Sequence, residues 1–234
     1  MGHNPLQSIP AGAKRGWSVK VNGAVVDPVS VVEISHPRYG VLNYGSVGGR
    51  YDSWNFMEIG SGGVVTVPYA RVNGALYIGL VDQERDNQGG RVLNVPRGFL
   101  DPKEKHFEAA ARELEEETGL ANLNDRMSEF PGQRANPNST FFVTNGDNEG
   151  VAFFGLVIKP HELERDPGHV VPELSASAVA VDPVVSLKLR ADMVKPVSKQ
   201  AELIYSCCFL PISVAIALSD MFTKVAAGLV LQHG

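Results

Sequence analysis

The sequence predicts an α/β domain preceded by a small N-terminal β module, and three observations support this fold class. Short runs rich in β-branched residues, typical of strands, occur at residues 64–69, 75–81 and 92–95. Residues 105–118 contain strong helix formers, with apolar side chains at helical spacing. Residues 17–35 alternate between apolar and polar side chains around a turn. Strands and helices in this order predict a sheet that is covered by helices.

The N-terminal module comes first along the chain. The Asn22-Gly23 pair is typical of a tight turn, so short strands are expected on either side of it. The next stretch, residues 40–63, is rich in glycine and aromatic residues and fits either a loop or a pair of short strands. We place a boundary near residue 60, which gives a β-rich module at residues 1–60 and a main domain at residues 61–234.

The main domain begins with a predicted hairpin and continues into a loop and a helix. Asn73-Gly74 separates the first two strands, and both residues tolerate the positive φ that a tight turn needs. Pro96 lacks an N–H group and ends the third strand. The helix ends before Gly119, the expected C-terminal cap. The predicted buried face of this helix consists of Phe107, Ala111, Leu114 and Thr118.

The second half of the chain gives weaker patterns. Further strands are predicted at residues 141–143 and 151–158, and residues 178–185 form another β-like run. Residues 188–231 are predicted to be mainly helical, with a break at Pro211. The most apolar segment lies within this last run and is shorter than the roughly 20 residues that span a bilayer. A buried core helix is therefore expected there, with C-terminal helices completing the domain.

Charge and cysteine content restrict the classes of partner and location. The formal net charge of -5 argues against a broad cationic surface for nucleic acid, so an anionic substrate needs metal ions or a few arginines. The two cysteines, Cys207 and Cys208, are adjacent in an apolar stretch, which favours buried thiols in a reducing compartment. The first residues contain no signal-peptide pattern. We expect a cytoplasmic protein with no membrane or nucleic-acid partner.

The clearest chemical signal is residues 98–120, GFLDPKEKHFEAAARELEEETGL. At about 100° per residue, Glu113, Glu116 and Glu117 share one flank of the predicted helix. Three neighbouring carboxylates repel one another unless a cation neutralises them, and their oxygens suit a hard divalent ion such as Mg²⁺ or Mn²⁺. Such an ion bridges diphosphate oxygens and activates a bound water, so the segment predicts pyrophosphate hydrolysis.

The spacing of this segment resembles the Nudix box. Gly98, Glu104 and the run at residues 112–120 stand at the defining positions, and aliphatic Leu114 and Leu120 occupy the apolar ones. The resemblance implies a Nudix-type α/β/α sandwich with a mixed sheet. It also implies a hydrolase that acts on phosphorus anhydrides with Mg²⁺ or Mn²⁺.

The resemblance also implies a role for each box residue. Glu113, Glu116 and Glu117 become metal ligands, and the first two are also catalytic candidates. Gly98 lets the loop backbone approach the metal, so that a carbonyl near Arg97 or Gly98 supplies a further oxygen. Supporting structural roles fall to Glu104, Arg112 and Gly119.

Substrate recognition is predicted from weaker features. Residues 81–85 and 94–98 resemble the approach to the box in ADP-ribose and nucleotide-sugar pyrophosphatases, and this resemblance implies that Arg85 contacts the diphosphate or ribose. Arg97 fits either a phosphate contact or a surface side chain. Trp54 fits either stacking on a base or ordinary packing.

Two further features concern the segment after the box. Pro137 lies seventeen residues after Leu120, close to the position of a proline that marks the ADP-ribose subgroup. Members of that subgroup often use a downstream loop glutamate as general base, and Glu173 is the first candidate because it precedes a β-like run. The other candidates are Glu149, Glu162 and Glu164.

The expected function is hydrolysis of a small nucleotide, namely a nucleoside diphosphate linked to another moiety, with ADP-ribose or a nucleotide sugar as the first substrate class. The alternative substrates are dinucleoside polyphosphates, NAD(H) or nucleoside triphosphates. A non-catalytic nucleotide-sugar sensor usually has a damaged box or an attached DNA-binding module, and the sequence shows neither signature. By resemblance, the N-terminal module also helps to build a homodimer.

Overall fold

The structure is a computed structural model, which divides into two compact units, Met1–Gly62 and Gly63–Gly234. It describes residues 18–21, 24–25, 32–36, 40–47, 51–57, 63–85, 90–101, 103–121, 124–132, 135–136, 139–143, 150–167, 186–196 and 203–234.

The first unit contains an antiparallel sheet in the order β2-β1-β3-β4-β5. Its strands are β1 (Ser18–Val21), β2 (Ala24–Val25), β3 (Val32–His36), β4 (Gly40–Val47) and β5 (Tyr51–Met57). Val21 pairs with Ala24, so the predicted hairpin strands on either side of the turn are confirmed. β4 and β5 pair along their length, which decides between the two alternatives for residues 40–63 in favour of paired strands.

The second unit is built on a mixed sheet. Its strands are β6 (Gly63–Val72), β7 (Ala75–Arg85), β8 (Gly90–Asn94), β9 (Arg97–Phe99), β10 (Met127–Glu129), β11 (Ala135–Asn136), β12 (Ser139–Val143), β13 (Val151–Val157), β14 (Leu163–Arg165), β15 (Leu187–Leu189) and β16 (Ile204–Pro211). The main path is β12-β11-β13-β6-β7-β16-β15-β14. β13 runs parallel to β6, and β7 runs antiparallel to both β6 and β16.

Helices cover both faces of this sheet. They are α1 (His106–Thr118), α2 (Ile212–Leu218) and α3 (Met221–His233). Successive strand residues point to opposite faces, so Val64 packs in the cluster that contains the α1 side chains. Val65 and Val67 pack on the other face with α2 and α3. The predicted α/β/α sandwich is confirmed.

The loop that leads to α1 emerges between the two central strands. β6 and β7 pair with each other near their hairpin, where Asn73 and Gly74 have positive φ as predicted. Farther along, β8 pairs with β7 and β9 pairs with β6. The N–H of Thr66 donates to the carbonyl of Pro96 at 2.9 Å, which fixes the crossing from one strand to the other. β9 then leads towards the face that α1 covers.

The C-terminal segment departs from the sequence prediction. Residues 188–231 were expected to be mainly helical, but Ile204–Pro211 is a strand that pairs with β7. β-prone Ile204 and Phe209 belong to this strand, and a buried position beside β7 outweighs the apolar run's resemblance to a helix. Pro211 does mark a break, because it ends β16 and precedes α2.

The buried face of α1 also differs from the prediction. Phe107 is 38% exposed, and Ala111 is only partly buried. The buried residues are His106, Ala109, Ala110, Glu113, Leu114, Glu117 and Thr118. The two alanines bring the helix backbone close to the sheet, where the Thr66 hydroxyl donates to the carbonyl of Ala110 at 3.4 Å. The helix is therefore turned so that two of its glutamates face inward.

Among the described residues, no helix is both long enough and apolar enough to cross a membrane.

Candidate active site

The site is built where the loop before α1, which includes the short strand β9 (Arg97–Phe99), meets the helix. Gly98 pairs with Val64, which places it on the α1 face of the sheet. A Cβ added at Gly98 would overlap the carboxyl group of Glu113. Glu113 is 4% exposed, so its carboxylate lies buried directly against the loop backbone.

Arg112 organises the carboxylates around this loop. Its guanidinium donates two hydrogen bonds of 2.8 Å to Glu104 and one of 2.9 Å to the carbonyl of Phe99. The same group donates from Nη1 to Glu113 at 2.6 Å and to Glu116 at 3.3 Å. The hydrogen bonds from Arg112 lower the pKa of Glu104, and the hydrogen bond to Glu104 raises the pKa of Arg112 despite burial. The guanidinium of Arg112 thus holds the loop and the helix together.

Glu117 is held from the loop side. It is 1% exposed, and its Oε2 accepts a hydrogen bond of 2.9 Å from the backbone N–H of Arg97. The structure therefore brings Glu113 and Glu117 against the backbone of residues 97–98, and Arg112 links Glu113 to Glu116. Burial and the charge of Glu117 raise the pKa of Cys207 to about 12, so this thiol is protonated at neutral pH.

The side chain of Arg97 points away from α1. Arg97 pairs with Val65 in the sheet and so shares the face covered by α3. Its guanidinium forms an ion pair with Asp220 and lies 4.9 Å from the centroid of the Phe222 ring. Burial opposes the effect, but the charge of Arg97 and the N–H of Thr223 hold the pKa of Asp220 below its usual value.

Arg85 lies on the side of the sheet that faces α1. It is the last residue of β7, and strand alternation places it on the same face as Gln83 and Tyr77. Tyr77 packs against the α1 cluster. The predicted substrate-binding Arg85 and the box glutamates therefore share one face.

Gly119 ends α1 in the left-handed region, with a φ of 76°. Its carbonyl accepts the N–H of Lys195 at 2.9 Å, and a Cβ at this position would overlap the carbonyl oxygen of Lys195. The predicted cap is thus also a close contact with a distant segment.

Comparison with known proteins identifies the family. A profile of the NUDIX domain matches residues 63–196, which is more than half of the chain. The chain belongs to the Nudix hydrolase superfamily. The segment 98–120 is its Nudix box, and the expectation of a Nudix-type hydrolase is confirmed at the level of the family.

The individual relatives match this chain either over a short segment or at low sequence identity. Over 66 residues the chain is 43% identical to a Caenorhabditis elegans protein named "Putative nudix hydrolase 2", and the match covers 28% of this chain and 30% of that protein. The crystal structure of an ADP compounds hydrolase has 12% identity and a TM-score of 0.45, with 93% of each chain covered. A Caenorhabditis elegans Ap4A hydrolase complex has 13% identity and a TM-score of 0.41, with 74% of this chain and 96% of that one covered.

Nudix hydrolases generally use divalent metal ions, and the side chains nearest Gly98 include a carboxylate. The side chains there supply carboxylate oxygens, the donors that hard cations prefer. Within the described part of the chain, no group of three or more His, Cys, Asp or Glu side chains is already arranged to hold a metal. Instead, Glu113 and Glu116 meet the Arg112 guanidinium, and Glu117 meets a backbone amide.

The remaining predicted residues are placed as follows. Trp54 lies in β5 opposite Tyr44, within the first unit, and its side chain lies outside the described positions. Glu162 forms an ion pair with Arg126 at 2.7 Å, and Glu164 lies 3.4 Å from Lys188. Outside the described residues lie Pro137, Glu149 and Glu173.

Asp220 and Thr223 contact the loop before α1, and the sequence did not predict these two contacts. Their spacing is typical of a helix N-cap followed by its third residue, and the Thr223 N–H does donate to Asp220 at 3.0 Å. That pattern marks the start of α3. It contains no information about Arg97, which lies 123 residues earlier.

Proposed function

We propose that this chain is a metal-dependent pyrophosphohydrolase that uses water to cleave the diphosphate of a nucleoside diphosphate linked to another moiety, with ADP-ribose or a nucleotide sugar as substrate. The observation that carries the proposal is the packing of Glu113 against Gly98, with Glu117 on the N–H of Arg97 and Glu116 on the guanidinium that also binds Glu113. Carboxylate oxygens gathered at a glycine backbone suit a cation that binds diphosphate.

Four groups of the site would hold the ion. These are the carboxylates of Glu113, Glu116 and Glu117 and the carbonyl of Gly98. Mg²⁺ or Mn²⁺ suits this all-oxygen set. When bound, such an ion neutralises diphosphate charge and makes a coordinated water more acidic.

The other residues of the chain position these groups and the substrate. Arg112 offsets the charge of Glu113 and Glu116 and ties both to Glu104. The N–H of Arg97 holds one oxygen of Glu117. The guanidinium of Arg85, at the end of β7, supplies a cation for the phosphate or ribose.

Two residues whose side chains the structure does not describe have roles in the same proposal. Glu173 acts as general base towards the attacking water. Trp54 stacks on the nucleobase of the substrate. The active protein is a cytoplasmic homodimer.

A hydrolysis panel tests the proposal. ADP-ribose, nucleotide sugars, dinucleotides and nucleoside triphosphates are incubated with Mg²⁺ and the native chain, Glu116→Gln or Glu117→Gln. Each variant should lose roughly 10²- to 10³-fold in turnover, the usual effect of removing one electrostatic stabiliser of the transition state. Glu115→Gln is the matched control, because Glu115 lies on the same helix but is exposed and binds Lys195 at 2.7 Å.

Each outcome of the panel has a defined meaning. Preferential cleavage of dinucleoside polyphosphates, NAD(H) or triphosphates would replace the proposed substrate class. Tight binding of a nucleotide sugar without turnover would point to the sensor alternative. Equal activity of the native chain and both glutamine variants would remove Glu116 and Glu117 from the mechanism.

A further inference from the structure

We infer that Asp220 and Thr223, at the N-terminus of α3, are positioning residues for the metal-ligand candidate Glu117 and act on it through the loop of residues 95–97. This inference rests on the proposed function, because it concerns the same metal site. It assigns a role in that site to a helix on the opposite face of the sheet.

Two contacts tie α3 to the loop. The hydroxyl of Thr223 accepts a hydrogen bond of 3.1 Å from the N–H of Val95. The carboxylate of Asp220 binds the guanidinium of Arg97 with one oxygen and the N–H of Thr223 with the other. The loop is therefore held at Val95 and at Arg97, one residue on each side of Pro96.

The loop passes this restraint to the helix on the other face. The side chain of Arg97 points to α3, while its backbone N–H donates to Glu117 at 2.9 Å. A rotation of the peptide between Pro96 and Arg97 would move this N–H away from Glu117. The hydrogen bond from the Thr66 N–H to the Pro96 carbonyl and the contacts on the α3 side both oppose such a rotation, so together they fix the direction of one Glu117 oxygen.

Burial makes the restraint stiff. Val95 and Thr223 are fully buried, and Glu117 is 1% exposed. The side chains of Arg97 and Asp220 are 15% and 18% exposed, and the ring of Phe222 lies against the guanidinium. Because little water reaches these groups, a lost hydrogen bond is not replaced by solvent.

Metal affinity separates this positioning role from a purely structural one. Mn²⁺ binding is measured by electron paramagnetic resonance on the full chain without substrate, and the melting temperature is recorded in parallel. Asp220→Asn and Thr223→Val should each weaken Mn²⁺ binding by about tenfold, the lower end of the range for residues that orient metal ligands. If Asp220 acts through Arg97, the double variant Asp220→Asn/Arg97→Gln should lose no more Mn²⁺ affinity than Arg97→Gln alone.

Two controls accompany these variants. Ser219→Ala removes a hydroxyl that donates to Ala215 at 2.6 Å, one residue before Asp220, and tests a local loss of helix stability. Asp192→Asn makes the same chemical change in an exposed ion pair with Arg190. Both should keep native Mn²⁺ affinity.

The outcomes distinguish the inference from the proposed function. Native Mn²⁺ affinity in Asp220→Asn and Thr223→Val, with hydrolysis intact, would overturn the inference alone. If either variant fails to fold, the other and Arg97→Gln decide the question. Weakened binding in the variants of a chain that hydrolyses no phosphoanhydride would support the inference and overturn the proposed activity. No Mn²⁺ binding by the native chain would overturn both.

Discussion

At the residue scale, the carboxyl group of Glu113 occupies the space that a side chain at position 98 would need. It fits there only because residue 98 is glycine. We predict that Gly98→Ala displaces Glu113 and lowers hydrolysis by on the order of 10²-fold, since one electrostatic contact is lost. Crowding of the site should also lower the free energy of unfolding by about 1–3 kcal/mol. Steady-state kinetics and urea denaturation measure the two effects.

The control for this prediction is Gly228→Ala. Gly228 lies in α3, and a Cβ added there meets nothing within 4 Å. Alanine is also the better helix former, so this variant should keep its activity and gain up to about 1 kcal/mol in stability. Native turnover in Gly98→Ala would contradict the prediction that hydrolysis needs Glu113 in its present position.

Local periodicity predicted only some residue positions in α1, because it put Phe107 and Ala111 on the buried face, where the structure has Glu113 and Glu117. The rotation of about 100° per residue was enough to place Glu113, Glu116 and Glu117 on one flank. It was not enough to identify the contact between Arg97 and Asp220, because that contact joins residues 123 positions apart. Side-chain partners at such separations are decided by the fold as a whole.

At the element scale, Gly119 joins the end of α1 to a distant segment. Its φ of 76° disfavours a side chain by about 1–2 kcal/mol. A Cβ would in addition overlap the carbonyl of Lys195, at a cost of about 1–3 kcal/mol. We predict that Gly119→Ala lowers the free energy of unfolding by the sum of both effects, which chemical denaturation measures.

The hairpin supplies the matched control for Gly119→Ala. Gly74 has a φ of 84°, but a Cβ there meets nothing within 4 Å. Gly74→Ala should therefore show the backbone effect alone. Equal losses in the two variants would mean that the Lys195 contact contributes nothing.

Elements were predicted well where turn residues or caps marked their ends. Asn73-Gly74 gave the start of β7 correctly, and Gly119 gave the end of α1. The strand Ile204–Pro211 was mistaken for a helix, because a short apolar run has no periodicity that separates the two. Its pairing with β7, more than a hundred residues earlier in the chain, decides its structure.

At the scale of the whole Gly63–Gly234 unit, Glu162 connects segments that are far apart in sequence. Its carboxylate accepts hydrogen bonds from Arg126 at 2.7 Å and from the N–H of Lys159 at 2.8 Å. Its own carbonyl accepts the N–H of Arg190 at 3.0 Å. Glu162 is 7% exposed, so these contacts lie in the interior. Glu162 thus makes three connections in the unit, two through its side chain and one through its backbone carbonyl.

This arrangement predicts how stability depends on pH. Burial opposes the shift, but Arg126 and the Lys159 amide hold the pKa of Glu162 below its ordinary value of 4.5. A lowered pKa in the folded state stabilises the unit above about pH 4.5, and this contribution disappears as the pH falls through the folded pKa. Glu162→Gln should therefore cost about 1–3 kcal/mol at neutral pH, and the difference from the native chain should shrink in acid. Denaturation curves from neutral pH into acid measure this difference in the free energy of unfolding.

The control is Glu164→Gln, because the exposed pair of Glu164 with Lys188 should contribute under about 1 kcal/mol. A loss in Glu162→Gln that stays constant from neutral pH to acid would show that the carboxylate charge contributes nothing and that shape alone matters.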